Sequence, residues 1–514
     1  MEQTTQKTWQ QYEAGCEYKR RIGLYETVRK NERFYRGDQW HGSGVDLPRP
    51  VFNLIRRVVD YLVGAVLPGD VSIRYSDDRL PFLDNSEIHR SVCKGIALLD
   101  KNASYRWKQN HMSELTQRAL LDAALSGDGV FYCWWDDKKD CGQPFLGDIQ
   151  TDLICNTDFF VADVNSTDLQ SQEYLILAGR SSVDALRKEA LVAGVSEADA
   201  RKIIGDRDPL SSISDLSDIE MNGAEKTTYL IKFFRENGEV VFEKSTRDCL
   251  IRRVRTGLSL YPVAYFNWMP AKKCFHGASP VCDMIPNQTY INTAYAMMMK
   301  HMSDTAFSKV VYDKTRIPEW TNQVGEAIAA VGGGNVADAI SIVGVGEMQD
   351  GYLDLINNII ENTKSMMGAT DAALGDERAN NTSAILALQE ASRISLAGVD
   401  TRLLRCLGEL AAIWSDMLCT YCPSDRLLPY EDSDGLHADP IDYRILKKEL
   451  LRASVETGHT NHYAPSATVS TLNRLLDAGH ITVGQYLKFL PNGSLSNRDA
   501  LLGEIHTKGT NTNE

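Results

Sequence analysis

The residues most able to carry chemistry are two pairs with a two-residue gap. These are Cys419 with Cys422 and His459 with His462, the spacing used by tetrahedral zinc sites. Some 40 residues separate the pairs, and Cys419 falls in the last turn of a helical pattern, so a compact metal module is disfavoured. Buried thiols and surface imidazoles are the default reading. Acidic neighbours Asp376–Glu377 and Glu431–Asp432 have the hard oxygen ligands that magnesium prefers, yet no nucleophile is placed beside either pair. The chain has no G-x-x-x-x-G-K-[ST] loop to cradle a phosphate, no H-E-x-x-H helix, no G-x-S-x-G elbow and no EF-hand loop. Gly332–Gly334 lacks the following lysine and reads as a turn. No catalytic residue, cofactor or metal site is expected.

The elements that would position such residues are legible from periodicity. The chain has 514 residues, enough for two to four packed regions. Its composition is that of a folded protein, with 43% hydrophobic and 24% charged residues. Its formal charge of −14 gives no global attraction for phosphate backbones, so a tight, static DNA binder is disfavoured. Eleven cysteines without framework spacing, and no apolar run after Met1, point to a reducing cytoplasm without disulfides. The most apolar helical stretch, residues 51–67, is interrupted by Arg56, Arg57 and Asp60 and is too short to span a membrane.

Helical spacing predicts helices up to about residue 35, over 51–67 and over about 85–125. Strands follow at 130–135, 152–163, 173–179, 227–234, 239–244, 248–253 and 262–268. The turn Glu236–Asn237–Gly238 joins two of them in a hairpin. Residues 182–204 read as helical, and 206–225, rich in Ser, Asp and Gly, as a loop. Helices resume at 286–301. A short mixed stretch then has a strand at 309–312, a helix near 320–331 and a strand at 339–345. A helix at 352–367 places Tyr352, Leu355, Ile356, Ile359 and Ile360 on one face. After the polar break 368–381, one helical pattern from Thr382 to about Cys419 would make a rod of roughly 55–60 Å at about 1.5 Å per residue. A strand-like passage near Tyr443 and helices at 466–478 and 483–490 complete the chain, whose tail from His506 is disordered in composition.

This order, together with several local stretches, resembles the portal proteins of tailed double-stranded DNA bacteriophages. The stretches are Asn31–Trp40 followed by Arg49–Pro50 and Asn53; Ser279–Pro280 with Asp283–Gln288 and Asn292; Gly368–Asp376 with Asn381–Ile385; and Ile481–Gly493. The resemblance implies a mainly helical α+β portal fold. Its parts would be a wing (1–278), a first stem helix (279–304), a clip (305–348) and a second stem helix (349–367). Then follow a tunnel loop (368–381), a long channel helix (382–420), a wing return (421–463), a crown (464–505) and a tail (506–514).

It further implies a non-enzymatic, dodecameric ring at one capsid vertex, assembled in the host cytoplasm, through which the genome enters and leaves. Partners would be the large terminase subunit, the major capsid or scaffolding protein, a head–tail adaptor and passing duplex DNA, with no membrane. Arg378, Asp376, Asn380 and Asn381 in the tunnel loop, with Lys300 and Lys364 on the stem, would face the DNA. Met297, Met298, Met299, Ile356 and Ile360 would form the stem's subunit contacts, since thioethers repack easily. Two readings of other classes are a cytosolic metal-dependent nuclease, or other enzyme, and a different virion protein such as a head–tail adaptor.

Overall fold

The computed structural model describes residues 2–40, 47–69, 71–83, 86–206, 225–305, 309–321, 323, 327–343, 351–370, 394–423, 426–432, 435–443, 445–446, 448–457 and 464–490. The expected first helix is two, α1 (Glu2–Arg21) and α2 (Leu24–Arg36), because Gly23 takes a left-handed φ of 70° between them. Helix α3 (Leu54–Val66) is amphipathic, with Ile55, Val58, Val59, Leu62, Val63 and Val66 buried. The long helical stretch that follows also divides, into α4 (Ser86–Gln109) and α5 (Met112–Ser126).

Two antiparallel sheets form the centre. The first has three strands, with β2 (Asp128–Asp140) between β3 (Leu146–Leu153) and β9 (Val263–Asn267). The second runs β4 (Phe159–Val161), β5 (Tyr174–Ser182), β6 (Lys226–Glu236), β7 (Glu239–Ser245) and β8 (Leu250–Arg255) in chain order. The predicted Glu236–Gly238 hairpin joins β6 to β7, with Asn237 and Gly238 both at positive φ. The expected strand 152–163 is split by a turn, and the expected helix 182–204 becomes α6 (Val183–Val192) and the single turn α7 (Glu197–Ala200), parted at Gly194.

Helix α8 (Val281–Thr305) and helix α9 (Gly351–Met366) flank a small insertion. In it β10 (Lys309–Tyr312) pairs with β11 (Ile340–Val343). The expected helix near 320–331 is absent from the described residues there, which are irregular. The long helix is described as α10 (Ala397–Tyr421), after a turn at Ser395–Leu396; residues 382–393 of the predicted rod lie outside the described residues. It is the core's central helix, burying Leu403, Leu407, Leu410, Trp414 and Met417 against the sheets.

Five strands were not anticipated as such: β3, which meets the expected stretch 152–163 only at its last two residues, and four others. β1 (Val71–Asp77) pairs antiparallel with β14 (Leu451–Thr457), and β12 (Leu427–Asp432) with β13 (Gly435–Pro440); Tyr443, expected in a strand, lies in a turn. Helices α11 (Ala464–Asp477) and α12 (Val483–Phe489) close the described chain. The expected mixed α+β class is what the structure has.

Candidate subunit interface: the arm of helices α8 and α9

The base of α8 is fixed by a buried polar knot. Gln288 Oε1 accepts from the Leu54 and Ile55 amides at 2.9 and 3.3 Å, and its Nε2 donates to Phe52 O at 2.8 Å and Asn292 Oδ1 at 2.9 Å. Asn292 Nδ2 donates to Gln39 Oε1 at 2.7 Å, and Gln39 Nε2 reaches Asn53 Oδ1 at 3.0 Å. Asn53 caps α3 by accepting from the Arg56 amide. Two free amides at the start of α3 thus find their acceptor on α8, which meets the need of a helix N-terminus without a charge. These are residues of the stretches 31–40, 53 and 283–292, far apart in sequence and here in one network.

A second clamp holds the chain entering α8. Asp128 is fully buried and accepts four hydrogen bonds: from Tyr265 Oη and the Gly277 amide at 2.8 Å, from Asn156 Nδ2 at 3.0 Å and from His276 Nδ1 at 2.8 Å. Burial, with the Asp128 charge beside it, pushes the Tyr265 phenol far above its ordinary range. Gly127 must be glycine: at φ 96° a Cβ would lie 2.3 Å from Gly277 O. Ser279 Oγ then donates to Ala124 O and accepts from the Val281 amide.

From this root α8 and α9 run antiparallel. Asn287 Nδ2 donates to Thr363 Oγ1 at 2.9 Å near the root, while β10 and β11 join the helices' other ends. Val281, Met284, Ile285, Gln288, Ile291, Asn292 and Ala296 of α8 are buried. Beyond Ala296 the helix surfaces: Met297 and Met299 are exposed, Met298 and Lys300 half-buried, and Met302 is 61% exposed. On α9 Ile356 is buried and Ile359 and Ile360 half-buried, but Tyr352, Leu353, Leu355 and Met366 are exposed. Tyr352 and Leu355 share the face of Ile356, whereas Leu353 points well away from it, so a single partner helix cannot cover all the exposed apolar residues. Phe52, itself exposed, packs against Tyr295 at the side of the arm, with ring centroids 4.3 Å apart and planes tilted by 37°.

At the tip, Tyr312 stacks on Trp320 with centroids 5.1 Å apart, and Ile317 and Ala339 are buried. Hydrogen bonds from Thr315 hold the Asp313 carboxyl below its ordinary range. Val311, Val331 and Val336 are exposed.

Of the anticipated DNA-facing residues, Lys300 pairs with Asp304 at 3.4 Å and Lys364 is buried and pairs with Glu361 at 3.0 Å. Asp376, Arg378, Asn380 and Asn381 lie outside the described residues. The two cations are therefore engaged within their own helices. Among the described residues no group of three or more His, Cys, Asp and Glu side chains could hold a metal. Cys419 and Cys422 are half-buried and form no disulfide, with burial pushing the Cys422 thiol up, and His459 and His462 lie outside the described residues. Glu431 and Asp432 are tied to Lys108 and Lys101. Lys19, Asp128 and His276 escaped sequence reasoning, because nothing in the pattern around them marks a buried ionisable group.

The fold and this site define a class: a mixed α+β body carrying an antiparallel helical arm tipped by a two-stranded insertion. Residues 264–436, from within β9 to the start of β13 and including both arm helices, match the family model described as "Phage P22-like portal protein". The resemblance to phage portal proteins stands on that stretch. No curated protein matches the chain in sequence. Among solved structures, a chain of "Virion of native gene transfer agent (GTA) particle" aligns over 90% of this chain and 92% of that one, with TM-score 0.41 and 9% identity. No described helix is long and apolar enough to cross a membrane.

Proposed function

We propose that the protein is a structural, ring-forming portal subunit of a phage-like virion, whose central channel passes double-stranded DNA into and out of the capsid. The observation that carries this reading is the arm: apolar side chains exposed on more than one side of two antiparallel helices, within the stretch that matches the portal family. A closed ring built from head-to-tail contacts requires two unlike flanks on each subunit. Burying a Met, Leu or Tyr contributes about 1.5–3 kcal/mol each, so a few such residues per flank sustain a stable contact.

In this reading residues 279–304 and 349–367 are the stem, 305–348 the clip where a terminase and later an adaptor dock, 368–381 the tunnel loop and 464–505 the crown. Met297, Met298, Met299 and Ile360 belong to the stem contacts, whereas Ile356, expected among them, is buried within the single chain and packs the arm itself; twelve copies close the ring. Lys300 and Lys364 steady the stem helices through their own carboxylate partners. They can meet phosphates only weakly, which suits DNA that must slide.

The test is mass photometry and negative-stain microscopy of the purified protein and of a Met302→Asp/Leu355→Asp double variant. Both positions are exposed in the single chain, so the variant should fold with unchanged circular dichroism and melting temperature. Rings for the wild type and monomers for the variant are expected. A monomeric wild type, or rings indifferent to both aspartates, would remove the proposal.

A further inference from the structure

Helix α1 is attached to the body in an unusual manner. Its apolar anchor is small: Tyr12 and Cys16, with Trp9 at the edge, meet Phe160, Ile176 and Leu230 in a cluster separate from the main core. The rest of the attachment is polar and buried. Thr8 Oγ1 donates to Glu243 Oε1 at 3.2 Å, and Lys232 Nζ donates to Gln11 Oε1 at 2.7 Å. Lys19, 1% exposed, donates to the carbonyls of Asn156, Thr157 and Phe159 at 2.6, 3.0 and 2.6 Å and sits 3.7 Å over the Phe160 ring. Tyr18 Oη lies 3.4 Å from Cys274 Sγ.

This interface carries costs that a permanent one would avoid. Glu243 is fully buried and its Oε2 has no hydrogen-bond partner, a desolvation penalty that an apolar contact does not incur. Gly15 lets the helix lie so close that a Cβ there would fall 2.6 Å from Phe160 Cδ1. At the far end of α1 the chain turns at Gly23, whose left-handed φ leaves open space around it.

We infer that α1 is a releasable strap, which swings about Gly23 off the β4–β7 face while the body stays folded. Release exposes an amphipathic trough floored by Phe160, Ile176 and Leu230 and flanked by Lys232 and Glu243. The polar bonds set a definite docked position, and the small apolar area keeps the release free energy below that of global unfolding.

Hydrogen exchange with mass spectrometry on the full chain tests this. Amides of α1 should exchange at least about 100-fold faster than those of β2, through an opening that leaves β2 closed. Gly15→Ala, which crowds Phe160, and Gly23→Ala, which strains only the hinge, should each speed α1 exchange about five- to tenfold and leave β2, β3 and β9 unchanged. Matching exchange of α1 and β2 in the wild type, or equal acceleration of both in the two variants, would show that α1 opens only when everything unfolds, and the inference would fall.

Discussion

At the level of single residues, the arm's direction depends on side chains that hold no charge. Gln288 satisfies two amides, one carbonyl and Asn292 at once. Replacing it by alanine takes this partner from the buried Ile55 amide and Asn292 Oδ1, while the Leu54 amide keeps its bond to Phe52 O, and about 1–3 kcal/mol of stability should be lost. Urea unfolding of Gln288→Ala measures this; a change under about 0.5 kcal/mol would mean that water heals the knot. The stretches containing these residues stood out in the sequence, but that Gln39, Asn53, Gln288 and Asn292 touch one another did not, because hydrogen-bond geometry leaves no periodic trace. Lys19 was invisible for a similar reason: its neighbours Tyr18, Arg20 and Arg21 make it look like one more surface cation.

Burial lowers its amine from 10.5 to about 7, with Asp158, Cys16, Asp128 and Cys155 opposing that shift. Between those pH values the unfolded chain binds the proton more tightly than the folded one, so folding gains stability as pH rises through that window and changes little below it. The stability of the wild type relative to Lys19→Met should therefore climb from pH 7 to pH 10, in denaturant titrations at each pH. A flat or falling difference would show that the three carbonyls keep the ammonium charged throughout.

Among the elements, periodicity located what packs on a large core and failed where packing is slight. The strands of the central sheets other than β3 (LGDIQTDL) were legible because they are rich in β-branched and aromatic residues, and α3 because its apolar residues share one face. β1 and β14 are short and pair across some 380 residues, so neither announces the other. Pro429 interrupts the apolar run of β12, and the hairpin with β13, the ion pairs to α4 and the Asn102 and Gln143 hydrogen bonds to its backbone settle it there. Residues 320–331 carry helix-forming Ala and Glu, yet an amphipathic helix needs a surface to cover, and among the described residues of the insertion the buried side chains are Ile317 and Ala339. It is held instead by the β10–β11 ladder and the Tyr312–Trp320 stack. Aromatic pairs of this kind contribute about 0.5–1.5 kcal/mol beyond area, enough to decide the order of so small an element. Trp320→Ala should raise exchange of the β10 and β11 amides while leaving the melting temperature of the body within about 1 °C. A fall of several degrees would mean that the tip and the body unfold together.

For the whole molecule, charge and apolar area act in opposition. Each copy carries −14, and copies brought side by side repel. The exposed arm residues contain few charges to offset this: Met297, Met299, Met302, Tyr352, Leu353 and Leu355 supply the area, while Lys300 and Lys364 already pair with their own carboxylates. Association driven by burial and resisted by like charge is promoted by salt. The Debye length shortens from about 30 Å at 0.01 M to about 10 Å at 0.1 M, and apolar contacts keep their strength. Sedimentation velocity between 20 and 500 mM salt, on the order of the range where screening changes most, should show the assembled fraction rising with ionic strength. Assembly that weakens as salt is added would mean that ion pairs between copies hold the ring, and would shift the search for its contacts from the arm's apolar flanks to the charged surface of the body.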